Sequence, residues 1–146
     1  MARNNAIDGL VNQIQLTSGF ENQSGGSAVA YDHRVLMMGI DRAAVILANS
    51  FSNQRMVING KTEIIYELSC ELYVRHNNDI VQARRDADIY ASNIIQRINN
   101  NPTLGGSVHI ALTTDGRIED ERVMIGKTPF LLEVLTISAT EHLDAV

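Results

Sequence analysis

A two-residue alternation of side-chain character runs along residues 61–75, KTEIIYELSCELYVR. Every second residue from Ile64 to Val74 is hydrophobic, and most residues between them are polar. Because successive side chains of a strand point to opposite faces, this pattern predicts a long strand with one face covered and one face exposed. An antiparallel sheet is the type that commonly leaves one face open, so the segment strongly limits the possible folds.

The residues that follow this strand have a helical period. Asn77, Asn78 and Asp79 offer side chains for the N-cap, and Pro102 after three asparagines ends the helical run. Three alanines in the apolar stripe predict that the helix approaches its sheet closely. The stripe consists of Ile80, Ala83, Ala87, Ala91, Ile94, Ile95 and Ile98.

The N-terminal half of the chain predicts a second helix and further strands. Residues 3–17 carry apolar side chains at helical spacing, whereas we expect residues 34–39 to be extended. The β-branched run RAAVILANSF at 42–51 predicts a buried strand, and a polar turn, SNQ, then leads to a short strand, RMVING. Asn59 and Gly60 favour a type I′ hairpin into the alternating strand, because both residues accept positive φ.

The C-terminal third contains a second two-residue hairpin signal, Asp115–Gly116. It separates strand-like runs at 107–113 and 117–125, and a last long strand is expected at 130–140. The order of helix, strands, helix and strands predicts an α+β fold. We expect a single mostly antiparallel β-sheet flanked by an N-terminal helix and a long central helix.

Length and composition indicate an ordinary globular chain. Its 146 residues favour one domain, 1–146, with 45% hydrophobic and 20% charged residues. The net charge of −5 argues against a surface that coats nucleic acid, and the doublet Arg84–Arg85 has Asp86 and Asp88 beside it. We find no apolar run of membrane-spanning length and no signal-peptide core, so we expect a protein kept in a cytoplasm-like compartment.

The sequence shows no constellation typical of an active site or a metal site. Cys70 is the one cysteine, which excludes an intramolecular disulfide and a cysteine-based zinc site. The glycine pairs Gly25–Gly26 and Gly105–Gly106 are not followed by the Lys-Ser/Thr of a phosphate-binding loop and do not form a GxGxxG pattern. We therefore expect no catalytic residue, no cofactor and no metal, in a protein that is not an enzyme. Four separate segments, without ligand spacing, contain His33, His76, His109 and His142.

Residues without an evident core role are the candidates for contacts between subunits. Ile65 and Tyr73 stand among glutamates on the polar face of the alternating strand, either as scattered surface residues or as contact residues. The serine-flanked glycine pair at 25–26 predicts a mobile loop, and the second hairpin predicts an exposed tip. The residues selected for an oligomer or tube interface are Gly25, Gly26, Glu63, Ile65, Glu67, Tyr73, Asp115, Gly116 and Arg117.

Several stretches of the chain form a recognisable set. They are the N-terminal amphipathic helix, the RAAVILANSF strand, the long strand ending in LYVR and the helix QARRDADIYASNIIQRI. The connection NNNPTLGGSVHIALT is the most specific of them. Together they resemble the tail terminator (tail-completion) proteins of long non-contractile-tailed bacteriophages, which similarly close this helix with an Asn/Asp-Pro-Thr-Leu-Gly-Gly-like turn. The resemblance covers nearly the whole chain.

The resemblance implies an antiparallel sheet flanked by helices, assembled as a homohexameric ring. Such a ring would bind the tail tube protein, end tube polymerisation and present the tail-side surface for head-tail joining to a connector or stopper protein. DNA would pass through the ring without sequence-specific binding, and no membrane would be involved. The protein would be a structural component of the virion, at the neck end of the tail, after assembly in the host cytoplasm.

Two other interpretations remain open at the level of the sequence. One is a head-completion or connector protein of the same neck, which is also a ring former. The other is an unrelated soluble α+β binding protein. The family of tail terminators carries no catalytic residues, so the resemblance also implies a protein that is not an enzyme.

Overall fold

The computed structural model describes residues 2–20, 26–37, 39–58 and 61–144. Over these residues two α-helices, five strands and one 3₁₀ helix form the fold, which confirms the predicted α+β class. In chain order they are α1 (Ala2–Gln15), β1 (Gly26–Ala30), the 3₁₀ helix (His33–Met37), β2 (Arg42–Ile58), β3 (Lys61–Arg75), α2 (Ile80–Asn100), β4 (Ile110–Ile125) and β5 (Thr128–Asp144).

The five strands form one sheet in the order β1-β2-β3-β5-β4. β2 with β3, β3 with β5, and β4 with β5 are antiparallel pairs, so the prediction of a mostly antiparallel sheet is confirmed. β1 pairs in parallel with the beginning of β2, from Gly26 opposite Arg42 to Ala30 opposite Ile46, and makes the sheet a mixed one. The sequence does not predict β1, because its five residues follow a segment rich in glycine and serine.

Both α-helices pack on the same face of the sheet and form the main core with it. The alternation in β3 is confirmed, since Tyr66, Leu68, Cys70, Leu72 and Val74 are all buried on this face. The alanines of α2 allow the close approach that their size predicts, although Ile80 at the start of the predicted stripe is 42% exposed. The helices contribute Ala6, Ile7, Leu10, Ile14, Ala83, Ala87, Ala91, Ile94 and Ile98 to this core.

The opposite face of the sheet is covered at one end, by the 3₁₀ helix. The expectation that residues 34–39 are extended is therefore wrong for 34–37, whereas residue 38 lies outside the described residues. The 3₁₀ turn is favoured because it buries two apolar side chains that an extended segment would leave in water. The second core consists of Val35, Leu36, Ala43, Val45, Tyr73 and Phe130.

Local side-chain chemistry sets both ends of α2. Asp79 is the N-cap, and its carboxylate accepts a hydrogen bond of 3.0 Å from the backbone N–H of Gln82, as the sequence predicts. At the other end, both the side-chain amide and the backbone N–H of Asn101 donate to the carbonyl oxygen of Arg97. Leu104 in the turn that follows is 1% exposed and anchors the NPTLGG connection to the core. Neither helix of the described chain is long and apolar enough to span a membrane.

In the first half of the sheet, the predicted ends of the strands differ from the observed ones. β2 continues to Ile58 without the predicted polar turn, and its pairing with β3 has register shifts between Ala48 and Ser50 and between Gln54 and Ile58. Asn59 and Gly60, the predicted hairpin residues, lie outside the described residues, although Ile58 and Lys61 on either side of them are paired. An irregular strand keeps its hydrogen bonds to the neighbouring strand, whereas a turn at these residues would break them.

In the second half of the sheet, the prediction of a hairpin at Asp115–Gly116 is wrong. Both residues lie inside the continuous strand β4, opposite Thr136 and Leu135 of β5. A register shift precedes Asp115, so its turn-forming tendency is taken up by an irregularity in the strand. The connection of β4 to β5 comes eleven residues later in the chain, where Gly126 has a positive φ of 63°.

Candidate interaction surface

Part of the sheet surface on the face that points away from α1 and α2 has none of the described elements packed on it. The strand registers determine which side chains share it, because paired residues on neighbouring strands point to the same face. We call this surface the open face. It consists of Ile65 and Glu67 of β3, of Thr136, Ser138 and Thr140 of β5, and of Ile110, Leu112, Asp115 and Arg117 of β4.

The open face mixes apolar and polar side chains in rows across the strands. Ile65 is opposite Thr140, which is in turn opposite Ile110. In the adjacent row, Glu67 is opposite Ser138 and Ser138 is opposite Leu112. The exposed fractions of Ile110 and Leu112 are 50% and 55%.

A shallow depression of about 270 Å³ lies on this face, lined by residues of β2, β3 and β5 and by Thr114 of β4. Serine, threonine and glutamate side chains line most of it, including Ser50 and Ser52 at the edge of β2. Ligand pockets for small molecules are usually deeper and mostly apolar. A mixture of apolar and hydroxyl side chains on a broad surface is more typical of a contact with another protein.

The structure brings together four of the residues that the sequence selects for an interface. Ile65 and Glu67 on β3 share the open face with Asp115 and Arg117 on β4, although about fifty residues of chain separate the two pairs. β5 lies between them and connects the rows. The four side chains therefore belong to one surface and not to two separate ones.

Glu63, a fifth selected residue, contacts one histidine near the beginning of β3. Its Oε2 lies 3.2 Å from Nε2 of His142 on β5, and the ring of His109 stacks on that of His142 at 4.2 Å. Folding thus brings together two of the four histidines, which lie in separate segments of the sequence. No group of three or more histidine, cysteine or acidic side chains in the described parts of the chain has the arrangement of a metal site.

Tyr73, another selected residue, has a core role that the sequence does not reveal. Its side chain is 5% exposed and packs edge-on against Phe130, with 6.3 Å between ring centroids. Its hydroxyl donates a hydrogen bond of 3.2 Å to Glu71. Burial raises the pKa of Tyr73, and the charge of Glu71 raises it further. The 3₁₀ helix covers this residue, so the idea that Tyr73 lacks a place in the core is wrong.

The edge strand β4 carries a dense set of charges. Arg117 donates from Nε to Glu119 at 2.8 Å, and Arg84 of α2 forms an ion pair with Glu121. Nearly the whole strand between Leu112 and Met124 is exposed or only partly buried. Charged side chains on an exposed edge prevent unspecific pairing with other strands. The edge is therefore suited to partners with complementary charge.

The selected glycines lie in three different settings. Gly25 is outside the described residues, so the predicted mobile loop is described only through Gly26, which is the first residue of β1. A Cβ at Gly26 would overlap the carbonyl oxygen of Gly19, so this glycine is required for close packing. At Gly116 a Cβ would lie 2.9 Å from Cδ2 of Leu135, on the core side of β4.

Sequence reasoning missed Ile110 and Leu112 as members of the candidate surface. Residues 107–113 suggest an ordinary strand whose large apolar residues face the core. The structure instead buries Ala111 between them, at 4% exposure, and turns both large side chains outward. The sequence signal for this arrangement is the small Ala111 between two large apolar residues. Because α2 packs closely against the sheet, the small side chain fits beneath it and the two large ones point away.

The one cysteine of the chain does not provide a reactive group. Cys70 is fully buried under the helices, and burial raises its pKa to about 12, with the charges of Glu71 and Glu133 adding to the effect. Only a thiolate is an effective nucleophile, so this thiol is inert near neutral pH. Its role is that of a small apolar residue in the main core.

Comparison with known proteins adds no assignment to this geometry. No protein-family model matches the chain, and a search of curated protein sequences also finds no significant match. The functional argument therefore depends on the surface itself and on the resemblance of the sequence stretches described above.

Proposed function

We propose that the protein is a structural virion protein of a long-tailed bacteriophage, which caps the tail tube as a homohexameric ring. In this role it ends tube polymerisation and forms the tail-side surface for head-tail joining. The observation that supports this most directly is the open face, an uncovered sheet surface with exposed Ile110 and Leu112. Exposed apolar residues rimmed by polar ones are typical of protein contact sites.

The sheet edges agree with assembly into a closed ring. β1 pairs with only the first five residues of β2, from Arg42 to Ile46, so the rest of β2 is an edge on that side. The charged strand β4 is the edge on the other side. Two unlike edges on one subunit suit a head-to-tail interface, and a head-to-tail interface that closes gives a ring.

The proposal includes partners on both sides of the ring. One is the tail tube protein, and the other is a connector or stopper protein on the head side. DNA would pass through the central channel, and the acidic character of the chain, with a net charge of −5, would limit its attraction to the phosphates. The proposed protein has no enzymatic activity and no cofactor. A ring structure with a basic lumen would contradict the part of the proposal that concerns DNA.

The first experiment replaces Leu112 with glutamate and measures ring formation on tail tubes. We expect Leu112→Glu to lose ring assembly, because a carboxylate would be buried without a partner in the contact. The matched control is Ile89→Glu on α2, since Ile89 is also 55% exposed but lies on a helix. Light scattering and electron microscopy would measure assembly, and circular dichroism would check that both variants are folded.

Three outcomes of this experiment would contradict the proposal. The first is wild-type protein that remains a stable monomer and forms no rings on tail tubes. The second is equal assembly of Leu112→Glu and wild type, which would exclude the open face as the contact surface. The third is an equal loss of assembly in Ile89→Glu, which would show that the loss does not depend on the open face.

Deletion of the gene from the phage distinguishes the terminator from the neighbouring neck proteins. Loss of a terminator should give tails of abnormal length, because nothing ends polymerisation of the tube. Loss of a head-completion or connector protein should instead leave tails of normal length unjoined, or heads that leak DNA. Tails of normal length would therefore support the alternative ring protein.

A further inference from the structure

The two cores of the protein are covered very unequally. Two long helices, α1 with 14 residues and α2 with 21, cover the main core. The second core is covered by the five residues of the 3₁₀ helix, of which only Val35 and Leu36 are buried. A surface segment that buries few apolar side chains opens at a lower free energy than the whole protein unfolds. We therefore expect the 3₁₀ helix to open separately from the rest of the fold.

A groove beside the 3₁₀ helix leaves the second core unsealed. It has a volume of about 250 Å³ and lies between the end of the 3₁₀ helix and the turn that connects β4 to β5. Leu36 and Phe130 of the second core both line it. Met37, which also lines it, is 73% exposed, and a Cβ placed on Gly39 would meet no other part of the described chain within 4 Å. The C-terminal end of the segment therefore has room to move.

The backbone is left-handed on both sides of the 3₁₀ helix, with a φ of 56° at Tyr31 and 72° at Gly39. Glycine accepts such a value freely, whereas a tyrosine keeps it only where contacts enforce it. Two hydrogen bonds to β2 enforce it here. The N–H of Tyr31 donates to the carbonyl oxygen of Ile46 at 3.1 Å, and its hydroxyl oxygen accepts from the N–H of Ala48 at 3.3 Å. Tyr31 thus fixes one end of the segment, and Gly39 leaves the other end free to rotate.

One ion pair ties the 3₁₀ helix to β3. Nε2 of His33 lies 2.6 Å from Oε1 of Glu71, and the hydroxyl of Tyr73 donates to the same oxygen at 3.2 Å. The other charged side chains of the segment, Asp32 and Arg34, pair with each other and do not attach it to the sheet. Among the described residues, the contact of His33 with Glu71 is therefore the only ion pair that holds the segment on a strand.

The second core and the open face are parts of one sheet surface. Tyr73 lies on the same face of β3 as Ile65 and Glu67, because all three are odd-numbered residues of a strand that pairs with β5 without a register shift. Phe130 lies on the same face of β5 as Ser138 for the same reason. If the 3₁₀ helix moved away, Tyr73 and Phe130 would extend the open face with two aromatic rings.

We propose that the 3₁₀ helix is a displaceable cover, latched by His33 and Glu71. In the closed state it hides the aromatic rings, and in the open state they join the open face. The occupant of the joined surface is a second copy of the chain, because the surface is continuous with the one assigned above to ring contacts. The opening is a property of the free subunit, whereas its effect on assembly rests on the proposed function.

The test uses two thiols in one molecule. Leu36→Cys places a thiol on the cover, and the fully buried Cys70 reports on the main core. Both are labelled under native conditions, and each rate is divided by the rate in the urea-unfolded protein. We expect the thiol introduced by Leu36→Cys to react at least about tenfold faster than Cys70. Adding His33→Ala should accelerate it about threefold to tenfold and leave Cys70 unchanged, because the lost contact holds only the cover.

The matched control is Arg34→Ala, which removes an ion pair of the same segment that does not reach the sheet, and which should leave both rates unchanged. Hydrogen exchange in the chain with its native Leu36 is the second measurement, and His33→Ala should accelerate exchange of the 3₁₀ amides by the same factor. Opening of the cover only together with the main core would overturn the proposal. Equal acceleration by Arg34→Ala, or none by His33→Ala, would overturn the latch.

The effect on assembly is measured separately, by light scattering. Because only open subunits associate in this scheme, His33→Ala should lower the concentration at half-assembly by the factor by which it favours opening. An unchanged concentration, in a variant whose cover opens faster, would overturn the link between the cover and the open face. Labelling requires no assembly, so it decides on the cover even if the proposed function fails.

Discussion

The two faces of the sheet use the same strands for different purposes. On the covered face, α1 and α2 bury the alternate residues of β3 and β5 in the main core. On the opposite face, the 3₁₀ helix covers only the end near Tyr73 and Phe130, and the open face continues beyond it. The even-numbered residues of β3 from Tyr66 to Val74 are thus buried in the main core, whereas Ile65 and Glu67 belong to the open face.

This difference predicts which mutations should affect folding and which should leave the fold unchanged. Leu72 on the covered face is fully buried, whereas Leu112 on the open face is 55% exposed. Burial of apolar surface is the main favourable term in folding, so the covered face holds most of the stability. The open face is free to change its side chains at little cost to the fold.

The largest expected effect is on the covered face. Leu72→Ala should lower the free energy of unfolding by about 3 kcal/mol, because it removes a buried side chain and leaves a cavity. Leu112→Ala on the open face should change it by less than about 0.5 kcal/mol. Urea denaturation of both variants measures the contrast. Similar losses for the two leucines would show that the open face is buried in the folded protein, contrary to the description above.

An intermediate effect distinguishes the two edges of the sheet. Gly26→Ala should cost about 2 kcal/mol, because a Cβ there would overlap backbone, the carbonyl oxygen of Gly19. Gly116→Ala should stay within about 0.5 kcal/mol of wild type, since its Cβ would meet only the end of the flexible Leu135 side chain. Thermal unfolding tests both. A Gly26→Ala variant as stable as the wild type would mean that β1 is not packed against the chain at Gly19.

The smallest effect concerns a carboxylate on the covered face. Burial raises the pKa of Glu133, with the charge of Asp88 on α2 adding to the effect, and its buried Oε2 has no hydrogen-bond partner. Since the folded-state pKa is raised, the ionised form destabilises the fold at pH values above that pKa. The penalty disappears as the pH falls through the folded-state pKa to below the ordinary value of 4.5.

Glu133→Gln should therefore raise the free energy of unfolding by about 1 kcal/mol at pH 7. The gain should shrink as the sample is acidified and vanish at about pH 4 and below. Glu67→Gln on the open face is the control, and it should change the free energy of unfolding little across the same pH range. Urea denaturation at several pH values measures this, and a gain for Glu133→Gln that is independent of pH would contradict the explanation by charge burial.

The segment from β3 to α2 was largely predictable, because its signals are local. The period of two in β3 and the stripe of alanines in α2 are properties of neighbouring residues, and both are confirmed by burial. Asp79 was among the three predicted N-cap candidates because its short side chain reaches the free N–H groups of the first turn. Such interactions are between residues close in sequence, so a pattern in the sequence can reveal them.

The candidate surface was predictable only in part. Ile65 and Glu67 were identified because they are on the polar face of an alternating strand. Asp115 and Arg117 were selected for the wrong reason, since the expected hairpin is the middle of β4. A dipeptide that favours a turn is compatible with a strand when a partner strand supplies hydrogen bonds, and β5 lies more than ten residues further along the chain.

The sequence by itself determined the α+β class, the alternating strand β3 and the amphipathic helix α2, because these depend on the period of side chains along a few turns or residues. The tertiary structure alone decided the parallel pairing of β1, the burial of Tyr73 under the 3₁₀ helix and the meeting of β3 and β4 residues on the open face. It also decided that Arg75 and His76 at the end of β3 lie close to Arg122 of β4 and Thr128 of β5. These features depend on contacts between distant segments, whose free energy is gained only after the chain has folded and β5 has entered the sheet between β3 and β4.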